Sequence, residues 1–210
     1  MTTSHRKASP SVRFRVPRTI SSEAAAALAV VYEASQQAPP PVRPLSEADF
    51  DSANRQMEAA FAPPNEKLAA TLGTAIRRDV LDGVPVVRIV PRRRKAGGRA
   101  LIYVHGGAYV YFSAGTMIGL PSLIAEATGN EVISIDYTLA PRAQWRVVTD
   151  QVLTVWKALL AAGNAAESLG LFGDSAGGGL AAGAVLKMRD QQLPLPGALW
   201  LLSPWSDISG

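Results

Sequence analysis

Apolar and polar positions change their period along this chain. From Thr19 to Gln37 alanines and aliphatic residues predict a helix, closed by Ala38-Pro39-Pro40-Pro41, which cannot continue one. Ser46-Glu47-Ala48-Asp49 is a helix start of the capping type, and Phe50, Ala53, Met57, Ala60 and Phe61 follow at helical spacing. Pro63-Pro64 is expected to end that second helix. The period then shifts to that of strands. Ala75–Leu81 and Val84–Val90 flank Asp82-Gly83, a hairpin turn signal. Ala100–Val104 is a short continuous apolar run, the mark of a strand buried on both faces. Further strands are predicted over 131–137, 169–172 and 198–202, and helices over 117–128, 147–162 and 176–189.

Strands alternating with helices of ten or more residues imply crossover connections, hence the α/β class with a mostly parallel central sheet flanked by helices. The two first helices precede any strand and form an accessory layer. Three regions result: 1–18 as a flexible tail, 19–72 as N-terminal helices and 73–210 as the α/β domain.

With 210 residues, 48% of them hydrophobic and 18% charged, the chain can bury a sizeable core. It has no cysteine, which excludes a disulfide framework, a thiolate metal site and a thiol nucleophile. A cytoplasmic location fits this, and residues 1–18 carry no apolar stretch of the signal-peptide kind. The apolar run Ala24–Tyr32 is too short to span a bilayer. Much of the +4 net charge comes from His5–Arg18 and from Arg92-Arg93-Arg94-Lys95. The second run lies between Pro91 and Gly97-Gly98, so it reads as a solvated loop. No aromatic residue interleaves with those charges, and a nucleic-acid partner is not expected.

The strongest chemical signal is Leu169-Gly170-Leu171-Phe172-Gly173-Asp174-Ser175-Ala176-Gly177-Gly178-Gly179. It is Gly-x-Ser-x-Gly with a strand before it and a helix after it, the context of a nucleophile elbow. On so sharp a turn, side chains two residues either side of the serine would collide, and Gly173 and Gly177 remove them. The turn exposes the Ser175 hydroxyl and aims a helix N-terminus at developing negative charge. Close helix–sheet packing is the competing use of such small residues. A dinucleotide loop is disfavoured because Gly-x-Gly-x-x-Gly is absent here. The second signal is His105-Gly106-Gly107-Ala108-Tyr109, directly after the buried strand. Acyl transfer needs backbone N–H donors aimed at an oxyanion, each worth a factor of about 10²–10³. The expected donors are the N–H groups of Gly106, Gly107 and Ala176; a plain strand-end turn is the alternative.

These two motifs together resemble the hormone-sensitive-lipase-like family of esterases, marked by His-Gly-Gly-Gly and Gly-Asp-Ser-Ala-Gly-Gly. Asp136-Tyr137-Thr138-Leu139-Ala140-Pro141 resembles the family's Asp-Tyr-Arg-Leu-Ala-Pro-Glu, with Thr138 in place of arginine and Arg142 in place of glutamate. Leu202-Ser203-Pro204-Trp205-Ser206-Asp207 resembles the strand-end segment that helps wall the acyl site. The resemblance covers roughly residues 20–210 and implies an α/β-hydrolase fold whose N-terminal helices form a cap. It implies Ser175 as nucleophile, His105, Gly173, Asp174 and Gly177 as residues supporting the motifs, and Tyr109, Trp205 and Asp207 as candidate pocket wall. It implies a small-molecule ester or lactone as substrate, with no metal and no cofactor. Ala108 replaces the last glycine but keeps its N–H, whereas Thr138 and Arg142 cannot form the pair usual at their positions.

A serine hydroxyl is a poor nucleophile without a base, and this fold orders its triad Ser, then Asp or Glu, then His. The chain has two histidines, His5 in the tail and His105 in the oxyanion loop, and none follows Ser175. The triad acid and base are therefore absent, and the last strands of the fold are expected to be missing, as in a C-terminally truncated esterase. Loss of a triad histidine costs about 10⁶ in turnover, so the chain alone is expected to be nearly inactive. An open apolar sheet edge would favour self-association and poor solubility. The alternatives are a non-catalytic small-molecule-binding protein of the same fold and a structural or nucleic-acid role for the basic surface.

Overall fold

A computed structural model describes residues 15–37, 45–95, 97 and 99–207. His5 and the rest of 1–14, the Pro39–Pro41 stop, Gly98 and residues 208–210 lie outside the described residues. Two compact units are present, Met1–Leu45 and Ser46–Gly210. The first holds helix α1 (Ser22–Gln37), opened by Ser21, whose Oγ accepts from the Ala24 N–H at 3.2 Å.

The second unit begins with helix α2 (Glu47–Leu72). Its start is the expected reciprocal cap: the Asp49 N–H donates to Ser46 Oγ at 3.3 Å and the Ser46 N–H donates to Asp49 Oδ2 at 2.7 Å. Its end differs from expectation. Pro63 and Pro64 do not stop it; the helix runs on to Leu72 and closes on Gly73 in the left-handed conformation, φ 74°. The prolines deprive the Ala59 and Ala60 carbonyls of helical donors, but both residues are exposed and water can serve them. Beyond the prolines, packing holds the helix. Asn65 Nδ2 donates to the Phe61 carbonyl at 2.8 Å, the Gly119 N–H donates to Asn65 Oδ1 at 2.9 Å, and Ala69 is 3% exposed in the core. Tertiary contacts override local propensity here.

Six strands form one sheet in the order β1-β2-β4-β3-β5-β6. They are β1 (Ala75–Leu81), β2 (Val84–Val90), β3 (Ala100–Val104), β4 (Glu131–Ile135), β5 (Leu169–Asp174) and β6 (Ala198–Leu202). Strand β2 is antiparallel to β1 and β4, and the other pairs are parallel. The β1–β2 turn places Asp82 and Gly83 at φ 46° and 83°, the two left-handed residues a tight hairpin needs. Helices α3 (Gly119–Thr128), α4 (Trp145–Ala161) and α5 (Ser175–Asp190) make the crossovers. Strand β4 stops two residues earlier than expected, so Asp136 and Tyr137 leave the sheet at its end.

Alternate strand residues feed cores on both faces. Ile102, Val104, Ile133 and Leu171 pack with Val152, Trp156, Leu180 and Met188 of α4 and α5. Tyr103, Val132 and Phe172 pack with Ala69 of α2 and with Ile118 and Ala125 of the α3 region. The expected α/β class is borne out, a mostly parallel central sheet flanked by helices.

The basic run is an exposed loop, as expected, and is also tied down. Arg92 pairs with Glu126 at 3.6 Å, Arg94 pairs with the buried Glu131 at 2.9 Å, and the Lys95 N–H donates to the Gly129 carbonyl at 3.0 Å. Among the described residues no helix is long and apolar enough to cross a membrane.

Candidate active site

Strands β3 and β5 are parallel neighbours with Val104 opposite Gly173. Their carboxyl ends therefore lie together, and the two motifs that follow them meet at the usual ligand side of such a sheet. Ser175 sits at φ 51°, a strained value for a residue with a side chain, and opens α5 partly exposed. The collisions expected of larger neighbours are present in the geometry. A Cβ on Gly177 would overlap the Val104 and His105 carbonyl oxygens, and one on Gly173 would overlap the Gly177 carbonyl. Helix α5 thus comes close enough to β3 to bring Ser175 beside the His105–Tyr109 loop. The Trp205 N–H donates to the Ser175 carbonyl at 2.9 Å, pinning the segment after β6 to the same turn.

The loop does not use its N–H groups as expected. The Gly106 N–H donates to Asp174 Oδ1 at 3.0 Å, so Gly106 is a structural anchor and not a donor free for an oxyanion. Tyr103 Oη donates to the same oxygen at 2.5 Å. Burial first, and then the Asp174 carboxylate, push the Tyr103 phenol far above its usual range. Among the described residues no acceptor takes the N–H of Gly107 or Ala108. Those two residues stand at φ 119° and 55°. The Ala176 N–H belongs to the first turn of α5, whose amides have no helical acceptor. The signal for Ala108 was its retained N–H in a His-Gly-Gly-x segment.

His105 is fully buried and stacks on Tyr137 with ring centroids 4.4 Å apart. Tyr137 Oη donates to the His105 carbonyl at 2.9 Å. Nδ1 lies 2.7 Å from the Gly106 carbonyl, which can only accept, so Nδ1 carries the proton. Nε2 is buried and has no partner among the described residues. Burial lowers the His105 pKa, so the ring is neutral, and it makes no hydrogen bond to Ser175. His105 is therefore part of the scaffold.

Tyr109 and Trp205 meet edge to face at 6.1 Å beside Gly179, and Asp207 lies exposed after them. The altered pair behaves differently from a local ion pair. The Thr138 N–H donates to Gln151 Oε1 and Gln151 Nε2 donates to Thr138 Oγ1, both at 2.9 Å, while Arg142 reaches Asp51 of α2 at 2.6 Å. A cavity of about 310 Å³ lies elsewhere, between the β1–β2 hairpin and Asp136, with Arg78, Val80 and Val87 among its lining. Ser175 itself is partly exposed, and Trp205 beside its turn is 44% exposed. Among the described residues no group of three or more His, Asp or Glu is placed to hold a metal ion.

Residues 101–210 match the alpha/beta hydrolase fold family. LipR of Mycobacterium tuberculosis, provisionally named an acetyl-hydrolase, is 39% identical over 67% of this chain and 45% of its own length. An ethyl acetate hydrolase of Pseudomonas putida is 31% identical over 80% of this chain and 56% of its own. A crystallised esterase of the bacterial hormone-sensitive lipase family superposes with a TM-score of 0.72 at 28% identity, covering 90% of this chain and 60% of that one. The chain thus spans about half the length of these curated relatives. The chain belongs to the α/β-hydrolase fold family.

Proposed function

We propose that Ser175 is the nucleophile of a carboxylic-ester hydrolase acting through an acyl-serine intermediate. The carrying observation is Ser175 held at φ 51° beside a loop whose Gly107 and Ala108 N–H groups have no acceptor among the described residues. Ser175 Oγ attacks the ester carbonyl and gives its proton to a base. The carbonyl oxygen becomes an oxyanion and accepts hydrogen bonds from the N–H groups of Gly107, Ala108 and Ala176. The tetrahedral adduct collapses, the C–O bond to the alcohol breaks, and the alcohol leaves with the proton. Water then attacks the acyl-serine by the same route and releases the acid.

No histidine follows Ser175 in the 210 residues, and His105 is buried and neutral. In this reading the acid and base come from sequence outside them. Tyr109 and Trp205 flank the entry and favour small to medium acyl esters or lactones; the ethyl acetate hydrolase of P. putida points the same way.

The assay is p-nitrophenyl acetate hydrolysis by this chain and by the chain extended to the length of its relatives. The extended chain is expected to turn over and its Ser175→Ala variant to lose about 10⁶ in kcat, with this chain alone near that residual level. Turnover that survives Ser175→Ala sinks the proposal. An extended chain that binds esters without turnover favours the second reading, a non-catalytic binding protein.

A further inference from the structure

Four residues of the loop after β3 have left-handed backbones: Gly107 at φ 119°, Ala108 at 55°, Tyr109 at 62° and Phe112 at 74°. Side-chain-bearing residues keep such conformations only where their surroundings hold them. Part of the hold is local: the N–H groups of Val110 and Tyr111 donate to the Gly107 carbonyl at 3.0 and 2.8 Å. From outside, the Ala140 N–H donates to the Tyr109 carbonyl at 2.8 Å. The bond at the far end comes from α2. The Phe112 N–H donates to Asn54 Oδ1 at 2.5 Å, across 58 residues of sequence.

That bond bears directly on Gly107. A Cβ there would overlap the Tyr111 carbonyl and come within 2.8 Å of the Phe112 ring, so residues 111 and 112 press against the Gly107 α-carbon. Phe112 is 8% exposed, and its ring lies 4.9 Å from that of Phe61, about two helical turns further along α2 than Asn54. A shift of Phe112 therefore moves Gly107 and Ala108. Other polar side chains on the same helix hold residues further along. Glu58 Oε1 accepts from Thr116 Oγ1 at 2.9 Å, and Asn65 accepts from the Gly119 N–H at 2.9 Å. Asn54 is the member of this row that reaches the donor segment.

We propose that Asn54 is a positioning residue that sets the Gly107 and Ala108 N–H groups for the oxyanion by holding Phe112. This rests on the esterase reading above. Misaimed donors weaken the transition state more than substrate binding, so the effect belongs in kcat.

The test is steady-state hydrolysis of p-nitrophenyl acetate by the extended chain, below the melting temperature of every variant. Asn54→Leu is expected to lower kcat by about ten- to a hundredfold with KM within about threefold, less than full loss of one donor. Asn54→Asp keeps the acceptor and should recover kcat to within about threefold of the parent. Asn65→Leu should lower the melting temperature yet leave kcat within about threefold. Should Asn54→Leu fail to fold, Asn54→Gln displaces the acceptor by one methylene and should slow turnover in the same way. An unchanged kcat in Asn54→Leu or Asn54→Gln overturns the proposal, as does Asn54→Asp being as slow as Asn54→Leu. Ser175→Ala separates the two readings. If it keeps turnover, the esterase reading fails and takes this one with it; if it is dead while Asn54→Leu is normal, only Asn54 is misassigned.

Discussion

Asp174 occupies the N-cap position of α5, where an aspartate usually accepts from an amide of the first turn. It makes no such bond, and its carboxylate turns instead to the Gly106 N–H and the Tyr103 hydroxyl. The first amides of α5 stay open beside Ser175, and the loop opposite is fastened by the same residue. Sequence spacing showed why Gly173 and Gly177 must be small, because that follows from the turn. It could not show which way Asp174 points, since that depends on a neighbouring strand. Two glycines of α5 make a paired test. Gly177→Ala drives a methyl into backbone oxygens and is expected to destabilise by about 1–3 kcal/mol or more. Gly183 has nothing nearer than 4.0 Å, so Gly183→Ala is expected to stabilise by about 0.5–1 kcal/mol. Denaturant midpoints check both, and like signs would contradict the close approach at Gly177. His105 makes a pH prediction. Burial lowers its pKa below 6.5 in the fold, so below that value the unfolded chain takes up the proton first. The stability tied to neutral His105 is complete above the unfolded value and is lost as pH falls through it. The melting temperature is expected to drop as pH falls below about 6.5, and to drop less in His105→Phe. An equal drop in both proteins would contradict a neutral, buried ring.

Helix α2 was the least legible element. Its start was plain in Ser46 and Asp49, but Pro63-Pro64 is a local stop signal that contacts from Asn65, Ala69 and Thr74 overcome. The strands were read closely because their signals are local: a two-residue turn at Asp82-Gly83 and unbroken apolar runs at β3 and β6. If α2 is continuous, Pro64→Ala restores a donor for the Ala60 carbonyl at an exposed position. The expected gain is on the order of 1–3 kcal/mol, read from the denaturant midpoint, and a loss would contradict the continuous helix. The basic loop has its own logic at this scale. Helices α2 and α3 both end without a basic residue in the last turn. The side chains of Arg92 and Lys95 cross those ends, their Cδ and Cγ lying 2.6 and 3.0 Å from where a Cβ would stand on the terminating Gly73 and Gly129. Cations there complement the two helix dipoles.

For the whole molecule, alternating strands and helices were enough to give a sheet covered on both faces. The reach of α2 to the loop after β3 was hidden, because Asn54 and Phe112 are joined only by the fold. Strand β6 pairs with β5 alone among the described residues, and Leu199 and Trp200 on it are 40% and 49% exposed. Concentration-dependent self-association of this chain is expected in sedimentation velocity and should diminish in Trp200→Lys; a monomer at every concentration would contradict it. The central claim, an acyl group carried on Ser175, has a direct test. The extended chain is mixed with p-nitrophenyl butyrate and quenched in acid within the first turnover, and its peptides are weighed. A burst of p-nitrophenolate should match a butyryl group on the peptide that contains Ser175. Both should vanish in Ser175→Ala. Steady turnover with no burst and no acylated serine would contradict the account.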